Sequence, residues 1–327
     1  MAPSILRALG LLVLAGTALF AAGLKNCPYD GCVGQETAPP AKPNSVEPTF
    51  SAESDLVVLH VTVFDRHGDS VAQLPREVFH VVEDETPQTI SLFSGENSPV
   101  AVGLVIDNSS SMLTRRSMVL AGIKAFAESS KADDEAFTII FNEDVKRGLP
   151  ATVAFTNNPI LLQASFNAVP PGGKTALHDA VIAGLDQLDT AQRQKHVLIV
   201  LSDGEDNASR RTEDEMLRRA EQSNALIYTV STARLDANVG NERLLRKLAH
   251  ATGGTAYVPK TERDVVTAFA GLAGRIRQGY TVGYVPTNAA HDGRYRHLIV
   301  RVLVPGMRSP AVHVREGYLA PLHEHGR

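Results

Sequence analysis

Two aspartates end apolar stretches of this 327-residue chain, at positions where carboxylates can do chemistry. Asp107 ends AVGLVID, and Asp203 ends HVLIVLSD. Continuous apolar runs of this kind predict strands that are buried on both faces of a parallel sheet. If the two strands are adjacent where the strand order reverses, both carboxylates lie in one crevice beyond the strand ends, where such folds bind ligands. Two like charges placed there repel each other, and a divalent cation would neutralise them directly.

Neutral oxygen donors accompany the two carboxylates. Ser109 and Ser111 follow Asp107 in DNSSS, and Thr175 ends the glycine-rich turn GGKT at the start of a predicted helix. Each residue alone more often caps a helix or forms a turn. Together they supply the hard oxygen ligands that Mg²⁺ prefers, six of them at about 2.0–2.1 Å. The sequence therefore predicts one cation site, for Mg²⁺ with Mn²⁺ or Ca²⁺ as alternatives, whose ligands are Asp107, Ser109, Ser111, Thr175 and Asp203.

The elements that must position these residues alternate between strand and helix over 100–276. Further strands are predicted at AFTIIF, HVLIVLS, ALIYTV and TAYV, with VKRGLPATVAF as an antiparallel partner of the first. Helices are predicted where Val119, Ile123 and Phe126 share one face, and over 176–188, 213–222, 242–251 and 261–276. This alternation predicts an α/β fold with a doubly wound, mostly parallel sheet and helices on both of its faces.

Strand patterns without helical spacing flank this region on both sides. Before it lie LVVLHVTVF and short strands over 79–82 and 89–93, separated by polar turns such as DRHGD and EDETP. After it lie YTVGYVP, RYRHLIVRVLVP and AVHVREGY. Because neither group can bury its apolar face alone, we expect both to form one small β-sandwich. The predicted domains are thus 54–96 and 279–320 for the sandwich, 97–278 for the α/β domain and 321–327 for a tail.

The first residues have the layout of an export signal. A positive start at Arg7 precedes an uncharged apolar run, so residues 1–24 are predicted to be a signal peptide or an uncleaved N-terminal anchor that tethers the chain to the membrane. Residues 25–53 resemble a proline-rich linker. They contain Cys27 and Cys32, for which a small local disulfide and two free thiols are the alternatives. The protein is therefore expected to be exported, to the periplasm, the cell surface or the medium.

The combination of DxSxS, GGxT and a strand that ends in SDG, in this order, resembles the von Willebrand factor A (VWA) domain superfamily and its metal-ion-dependent adhesion site. The resemblance implies that Ser109 and Ser111 bind the metal directly, and Thr175 directly or through water. It also implies that Asp107 and Asp203 act mostly through water. In that family an acidic residue of a protein partner completes the coordination.

The span 56–320 is similar to the VWFA-related Acidobacterial domain family of secreted bacterial proteins. The similarity rests on VTVFDRHGDSV, FHVVEDETPQTISLFS, VGLVIDNSSSM and the tail segments YTVGYVPTN, DGRYRHLIVRV and REGYLAP.

Charge and motifs narrow the function classes. A net charge of −4 leaves no basic excess to bind nucleic acid, and neither GxGxxG nor GxxxxGK[ST] follows any strand. We therefore expect a non-enzymatic, exported protein that binds an acidic residue of a protein partner through the cation, its oligomeric state left open. The alternatives are a metal-dependent hydrolase, with Glu205 or Asp206 as its only candidate bases, and a structural envelope component whose metal site is idle.

Overall fold

The computed structural model describes residues 56–322, apart from 68, 96, 234–240 and 308–309. All of these residues belong to one compact unit, Ala52–Arg327. The predictions for 1–24, for 25–53 with Cys27 and Cys32, and for most of the tail over 321–327 lie outside the described residues. No helix of the described part is both long enough and apolar enough to cross a membrane.

The described residues form fourteen strands and six α-helices. In chain order the strands are β1 (Val57–Phe64), β2 (Phe79–Glu83), β3 (Thr86–Gln88), β4 (Ile90–Ser94), β5 (Val100–Asp107), β6 (Glu135–Phe141), β7 (Val145–Arg147), β8 (Lys195–Ser202), β9 (Leu226–Ser231), β10 (Ala256–Tyr257), β11 (Tyr280–Tyr284), β12 (Tyr295–Val302), β13 (Ala311–His313) and β14 (Gly317–Leu319). The helices are α1 (Arg116–Ser129), α2 (Pro159–Asn167), α3 (Leu177–Leu188), α4 (Glu213–Gln222), α5 (Glu242–Ala251) and α6 (Glu262–Arg277).

A six-stranded sheet of order β10-β9-β8-β5-β6-β7 forms the centre of the α/β part. All its neighbours are parallel except β7, which pairs antiparallel with β6. Every residue of β5 is buried, as its continuous apolar sequence predicts. The doubly wound, mostly parallel sheet is therefore confirmed, and the strands that lead to Asp107 and Asp203 are adjacent.

Helices cover both faces of this sheet. On one face α1, α2 and α6 pack around Phe126, Phe166 and Phe269. On the other face α3, α4 and α5 contribute Leu185, Met216 and Leu248 to a second apolar cluster. Because the strands between them are shielded on both sides, the sheet can be apolar throughout and still end in polar loops.

Two elements were not predicted from the sequence. Helix α2 begins at Pro159, and the side chain of Asn158 accepts hydrogen bonds from the backbone N–H groups of Ile160 and Leu161. The pair NP is a known helix start, but the mainly apolar residues that follow hide the helical period. Strand β3 occupies part of EDETP, which was expected to be only a turn. A two-residue turn with positive φ at Asp84 and Glu85 joins it to β2.

The flanking strands form two four-stranded antiparallel sheets, β13-β1-β11-β4 and β14-β12-β2-β3. Each sheet combines strands that precede the α/β part with strands that follow it. Their inner faces share one apolar cluster that includes Leu59, Phe79, Val282 and Tyr284. The expected β-sandwich, formed from N-terminal and C-terminal strands, is therefore confirmed.

The sandwich attaches to the α/β part at the turn between α4 and β9. The side chain of Asn224 accepts a hydrogen bond from Val58 N–H (3.1 Å) and donates one to the carbonyl of Leu56 (3.2 Å). The buried guanidinium of Arg315 donates to the carbonyls of Ser223 (2.8 Å) and Val58 (3.3 Å). One arginine thus satisfies backbone acceptors on both sides of the junction.

We expect Arg315→Met to lower the free energy of unfolding by about 2–4 kcal/mol, since a hydrogen bond from a charged donor contributes about 1.5–3 kcal/mol and two buried carbonyls would lose theirs. Urea denaturation measures the change. Arg301→Met, on the exposed side of β12, is the control and should stay within about 0.5 kcal/mol of the wild type. Equal unfolding curves for the wild type and Arg315→Met would show that the junction does not depend on this residue.

Candidate metal centre

Three loops meet at the carboxyl ends of β5 and β8. They cover 107–111 after β5, 170–176 before α3 and 203–207 after β8. Backbone hydrogen bonds join them: Ser110 N–H donates to the Gly173 carbonyl (3.1 Å), and Asn207 N–H donates to the Thr175 carbonyl (2.9 Å). The fold therefore brings all five predicted site residues, which come from distant parts of the sequence, to one rim of the sheet.

The carboxylate of Asp107 organises the first loop. One of its oxygens, Oδ1, accepts hydrogen bonds from the backbone N–H (2.9 Å) and the hydroxyl (2.5 Å) of Ser109. The other, Oδ2, accepts from the hydroxyl of Ser202 (2.8 Å). The hydroxyl oxygens of Ser109 and Ser111 lie 3.1 Å apart. Two neutral oxygens are thus held side by side next to a carboxylate.

Burial disfavours the charged form of this carboxylate. Asp107 has no exposed surface, and burial raises the pKa of its carboxyl to about 6. Hydrogen bonds from Ser109 and Ser202 oppose this rise, whereas the nearby negative charge of Asp203 adds to it. Among the described residues, no basic side chain forms an ion pair with either aspartate. A cation between the two carboxylates would stabilise the charged form of both.

The second loop can approach the first because of its glycines. Gly172 and Gly173 have φ values of 121° and 84°, which residues with a side chain rarely adopt. A Cβ atom on Gly173 would lie 1.5 Å from Oε2 of Glu143. That same carboxylate oxygen accepts the backbone N–H of Lys174 at 2.9 Å. Glu143, in the loop from β6 to β7, therefore packs against the glycine turn. Its hydrogen bond to Lys174 helps to fix the backbone just before Thr175.

The third loop holds the start of α3 in place. Oδ1 of Asn207 accepts the backbone N–H of Thr175 (2.9 Å). Oδ2 of Asp206 accepts the backbone N–H of His178 (3.0 Å) and the hydroxyl of Ser209 (2.6 Å). Thr175 and Asp203 are both almost fully buried, at 5% and 8% exposure. Both side chains are therefore largely shielded from solvent, and hydrogen bonds hold the backbone of Thr175 in place.

Three of these positioning residues were missed in the sequence. Ser202 carried a signal, since it puts a hydroxyl at the end of an otherwise apolar strand. Glu143 and Asn207 carried none, because each acts through a tertiary hydrogen bond to the loop before α3. Their types are equally common in ordinary surface turns.

The donor set fits a hard divalent cation. It offers two carboxylates and three hydroxyls, and the buried charge of Asp107 is without a basic partner in the described part of the chain. Within that part, no three His, Cys, Asp or Glu side chains lie close enough together to hold an ion. The hydroxyls of Ser109, Ser111 and Thr175 would therefore have to supply most of the protein ligands, as oxygen-seeking Mg²⁺ permits.

Several solved structures are similar to this chain. The chain resembles a von Willebrand factor type A protein from Catenulispora acidiphila, with 14% identity over 84% of this chain and 76% of that one and a TM-score of 0.48. The vWF domain of the type V pili tip protein Mfa5 from Porphyromonas gingivalis gives 14% identity, coverages of 55% and 95%, and a TM-score of 0.45. BatB, a conserved hypothetical protein from Bacteroides thetaiotaomicron, gives 17% identity over 54% of this chain and 98% of that one, with a TM-score of 0.44.

No curated protein matches the chain. The model of the family described as the von Willebrand factor type A domain matches residues 102–270, just over half of the chain. The matched span begins in β5 and ends in α6, so it contains all three loops of the rim. The chain belongs to the von Willebrand factor type A domain family.

Proposed function

We propose that this protein binds a protein partner through a divalent cation at a metal-ion-dependent adhesion site formed by Asp107, Ser109, Ser111, Thr175 and Asp203. The observation that carries the proposal is the pair of like-charged carboxylates beside a row of hydroxyls. Asp107 is fully buried, and the negative charge of Asp203 lies near it. Within the described residues, its hydrogen-bond donors are Ser109 and Ser202. A buried charge without a basic partner is unfavourable unless a cation completes the site.

The chain's own residues would divide the work. The hydroxyls of Ser109 and Ser111 would bind the ion directly, and Thr175 directly or through water. Asp107 and Asp203 would contribute charge mostly through water, while Asp107 also fixes the Ser109 hydroxyl by its hydrogen bond. Mg²⁺ is the proposed ion, with Mn²⁺ or Ca²⁺ as alternatives. When bound, the ion supplies a positive position at which a partner's carboxylate completes the coordination.

The partner that suits this rim is a protein with an exposed Asp or Glu. Because the ligand hydroxyls are neutral, the ion would keep most of its charge and attract a further carboxylate. With a net charge of −4, the protein is not suited to bind nucleic acid. Export rests on the apolar run within 1–24, whether as signal peptide or as membrane tether, and the VWFA-related Acidobacterial family remains the finer family assignment that we propose.

A binding role is preferred here to catalysis. A hydrolase would need a general base beside the ion, and Glu205 and Asp206 are the candidates. The carboxylate of Asp206 already accepts hydrogen bonds from the His178 N–H and from both the N–H and the hydroxyl of Ser209. It therefore orders a loop, while Glu205 is exposed to solvent. A structural component with an idle metal site is the remaining alternative.

Cation binding should stabilise the folded protein. A ligand that binds only the native state at 100 times its Kd adds about 2.7 kcal/mol to the free energy of unfolding. We expect Mg²⁺ or Mn²⁺ to raise the Tm of the wild type in a thermal scan and a chelator to reverse the rise. Asp107→Asn and Ser111→Ala, which keep the local shape, should remove most of this effect.

The matched control is Asp133→Ala, which removes an exposed carboxylate in the turn before β6 and should respond to the cation like the wild type. A Tm that rises equally in Asp107→Asn would place the cation elsewhere. No rise in the wild type at any concentration would favour the idle site.

Partner binding should depend on the same ligands. Purified wild-type protein, immobilised and incubated with cell-envelope extract in Mg²⁺, should retain proteins that a chelator releases. We expect Ser109→Ala to retain at least about tenfold less, the equivalent of 1.4 kcal/mol in binding free energy. Retention that survives both the chelator and the substitution would contradict a cation-dependent mechanism.

A further inference from the structure

A cleft lies between the edge of the central sheet and the sandwich. It is away from the rim of the sheet that carries the candidate metal site, which we call the metal rim. The volume of the cleft is about 440 Å³, within the range of pockets that hold small molecules. The wall from the α/β part carries Tyr228 of β9 and Tyr257 of β10, and α6 and its end contribute Arg275 and Gln278. The opposite wall is the sandwich, where Thr62 of β1 pairs with His313 of β13.

Two tyrosine side chains line the cleft. Tyr228 is only 7% exposed, and its hydroxyl makes no hydrogen bond within the described residues. The hydroxyl of Tyr257 is buried and also without a hydrogen-bond partner there. Their ring centroids are 6.3 Å apart. A buried hydroxyl is normally paired, so the unpaired hydroxyl of Tyr257 beside the cleft indicates that something else accepts its hydrogen bond.

A positive charge lies next to these hydroxyls. The guanidinium carbon of Arg275 is 5.8 Å from the centre of the Tyr257 ring, and Arg275 forms no ion pair in the described part of the chain. Burial raises the pKa of both Tyr228 and Tyr257, which keeps the phenols protonated and able to donate. The charge of Arg275 opposes this rise in the pKa of both phenols.

Helix α6 leaves the space beside this cluster open. Gly271 and Gly274 line the cleft, and a Cβ atom added to either would meet nothing within 4 Å. Glycine inside a helix is less favourable than alanine, and no packing contact requires it here. The glycines therefore widen the cleft on the side of Arg275, at a cost in helix stability that core packing does not explain.

Other polar side chains also line the cleft, among them Ser70, Thr255 and His313. Besides the arginine and the two phenols, it is lined by the side chains of Gln278 and Thr62, and Asp69 is its one acidic residue within the described part. We propose that this cleft binds a small anion with a carboxylate or phosphate group, with Arg275 as its countercharge and the hydroxyls of Tyr228 and Tyr257 as donors. Guanidinium groups and neutral hydroxyl donors suit both kinds of oxyanion.

The site is separate from the metal rim. Tyr228 lies opposite Ile199 in the sheet, and Ile199 precedes Asp203 by four residues, roughly 13 Å at about 3.3 Å per residue. Anion binding here needs no cation, so it can be measured with the metal removed. Its success or failure is therefore independent of the adhesion proposal.

Isothermal titration calorimetry on the full chain in chelator tests the proposal. The probes are inorganic phosphate, citrate and D-glucuronate, with D-glucose as the uncharged counterpart of glucuronate and sodium chloride as the ionic-strength control. We expect phosphate or one of the carboxylates to bind, which also separates the two chemistries, and we expect glucose not to bind. No binding by any of the three anions, or equal binding of glucose and glucuronate, overturns the proposal.

Substitutions assign the binding to the cleft. Arg275→Met should weaken the anion by at least about tenfold, since it removes the charged hydrogen bonds. Arg263→Met is the matched control, because it removes an exposed arginine of the same helix that does not line the cleft. Equal affinities of Arg275→Met and the wild type would overturn the assignment.

Tyr257→Phe separates a binding role from a structural one. Because the hydroxyl has no hydrogen-bond partner among the described residues, its removal should leave the Tm of the anion-free protein unchanged or higher. The same substitution should weaken anion binding. A lower Tm together with unchanged affinity would show that the hydroxyl serves the fold, which would contradict its role as a donor to the ligand.

Discussion

Electrostatic repulsion between two buried carboxylates is the constraint on which the candidate metal site depends. Asp107 and Asp203 follow adjacent parallel strands, and the parallel arrangement forces their side chains to the same edge of the sheet. Asp107 is fully buried, and the charge of Asp203 adds to the rise of its pKa. Hydroxyl donors from Ser109 and Ser202 reduce the cost of this charge, but they bring no positive charge of their own. We propose that a divalent cation supplies this positive charge.

The rest of the rim can be understood as the means of holding neutral oxygens near that charge. The glycine turn at Gly172 and Gly173 allows the loop before α3 to reach the serine loop, and Glu143 fills the space that a side chain on Gly173 would take. Asn207 then fixes the backbone of Thr175. Because these contacts are made by backbone groups and buried side chains, the hydroxyls have little freedom to move. Preorganisation of this kind would favour binding of the proposed ion, since less entropy would be lost when it binds.

The sandwich is connected to this rim through the chain itself. The loop at Asp203 leads into α4, and the turn after α4 is where Asn224 and Arg315 join the sandwich to the α/β part. The proposed anion cleft lies along another part of the same junction, between β10, α6 and β1. The two parts thus share a polar junction at which side chains form hydrogen bonds to backbone groups.

Much of the fold could be predicted because its signals are local. The buried strands are continuous apolar runs, and α4 and α6 begin with complete capping boxes at Thr212 and Thr261. Helix α2 was missed because its residues are apolar on most sides, and β3 because its partner β2 is recognised only through a turn with positive φ. The five candidate site residues could be named from the sequence because each follows a predicted strand or precedes a predicted helix. The supporting roles of Glu143 and Asn207, and the cleft around Arg275, arise from tertiary contacts that no local pattern records.

The most direct test of the account is the position of a bound ion. Crystals grown or soaked with Mn²⁺ should give an anomalous difference peak at the rim, within direct bonding distance of the hydroxyl oxygens of Ser109 and Ser111 and close to Thr175, Asp107 and Asp203. One coordination position on the solvent side would have no ligand from the same molecule. Water or an acidic residue from a neighbouring molecule would fill it. A protein that shows no anomalous peak at the rim at saturating Mn²⁺, or only peaks elsewhere, would contradict the central claim.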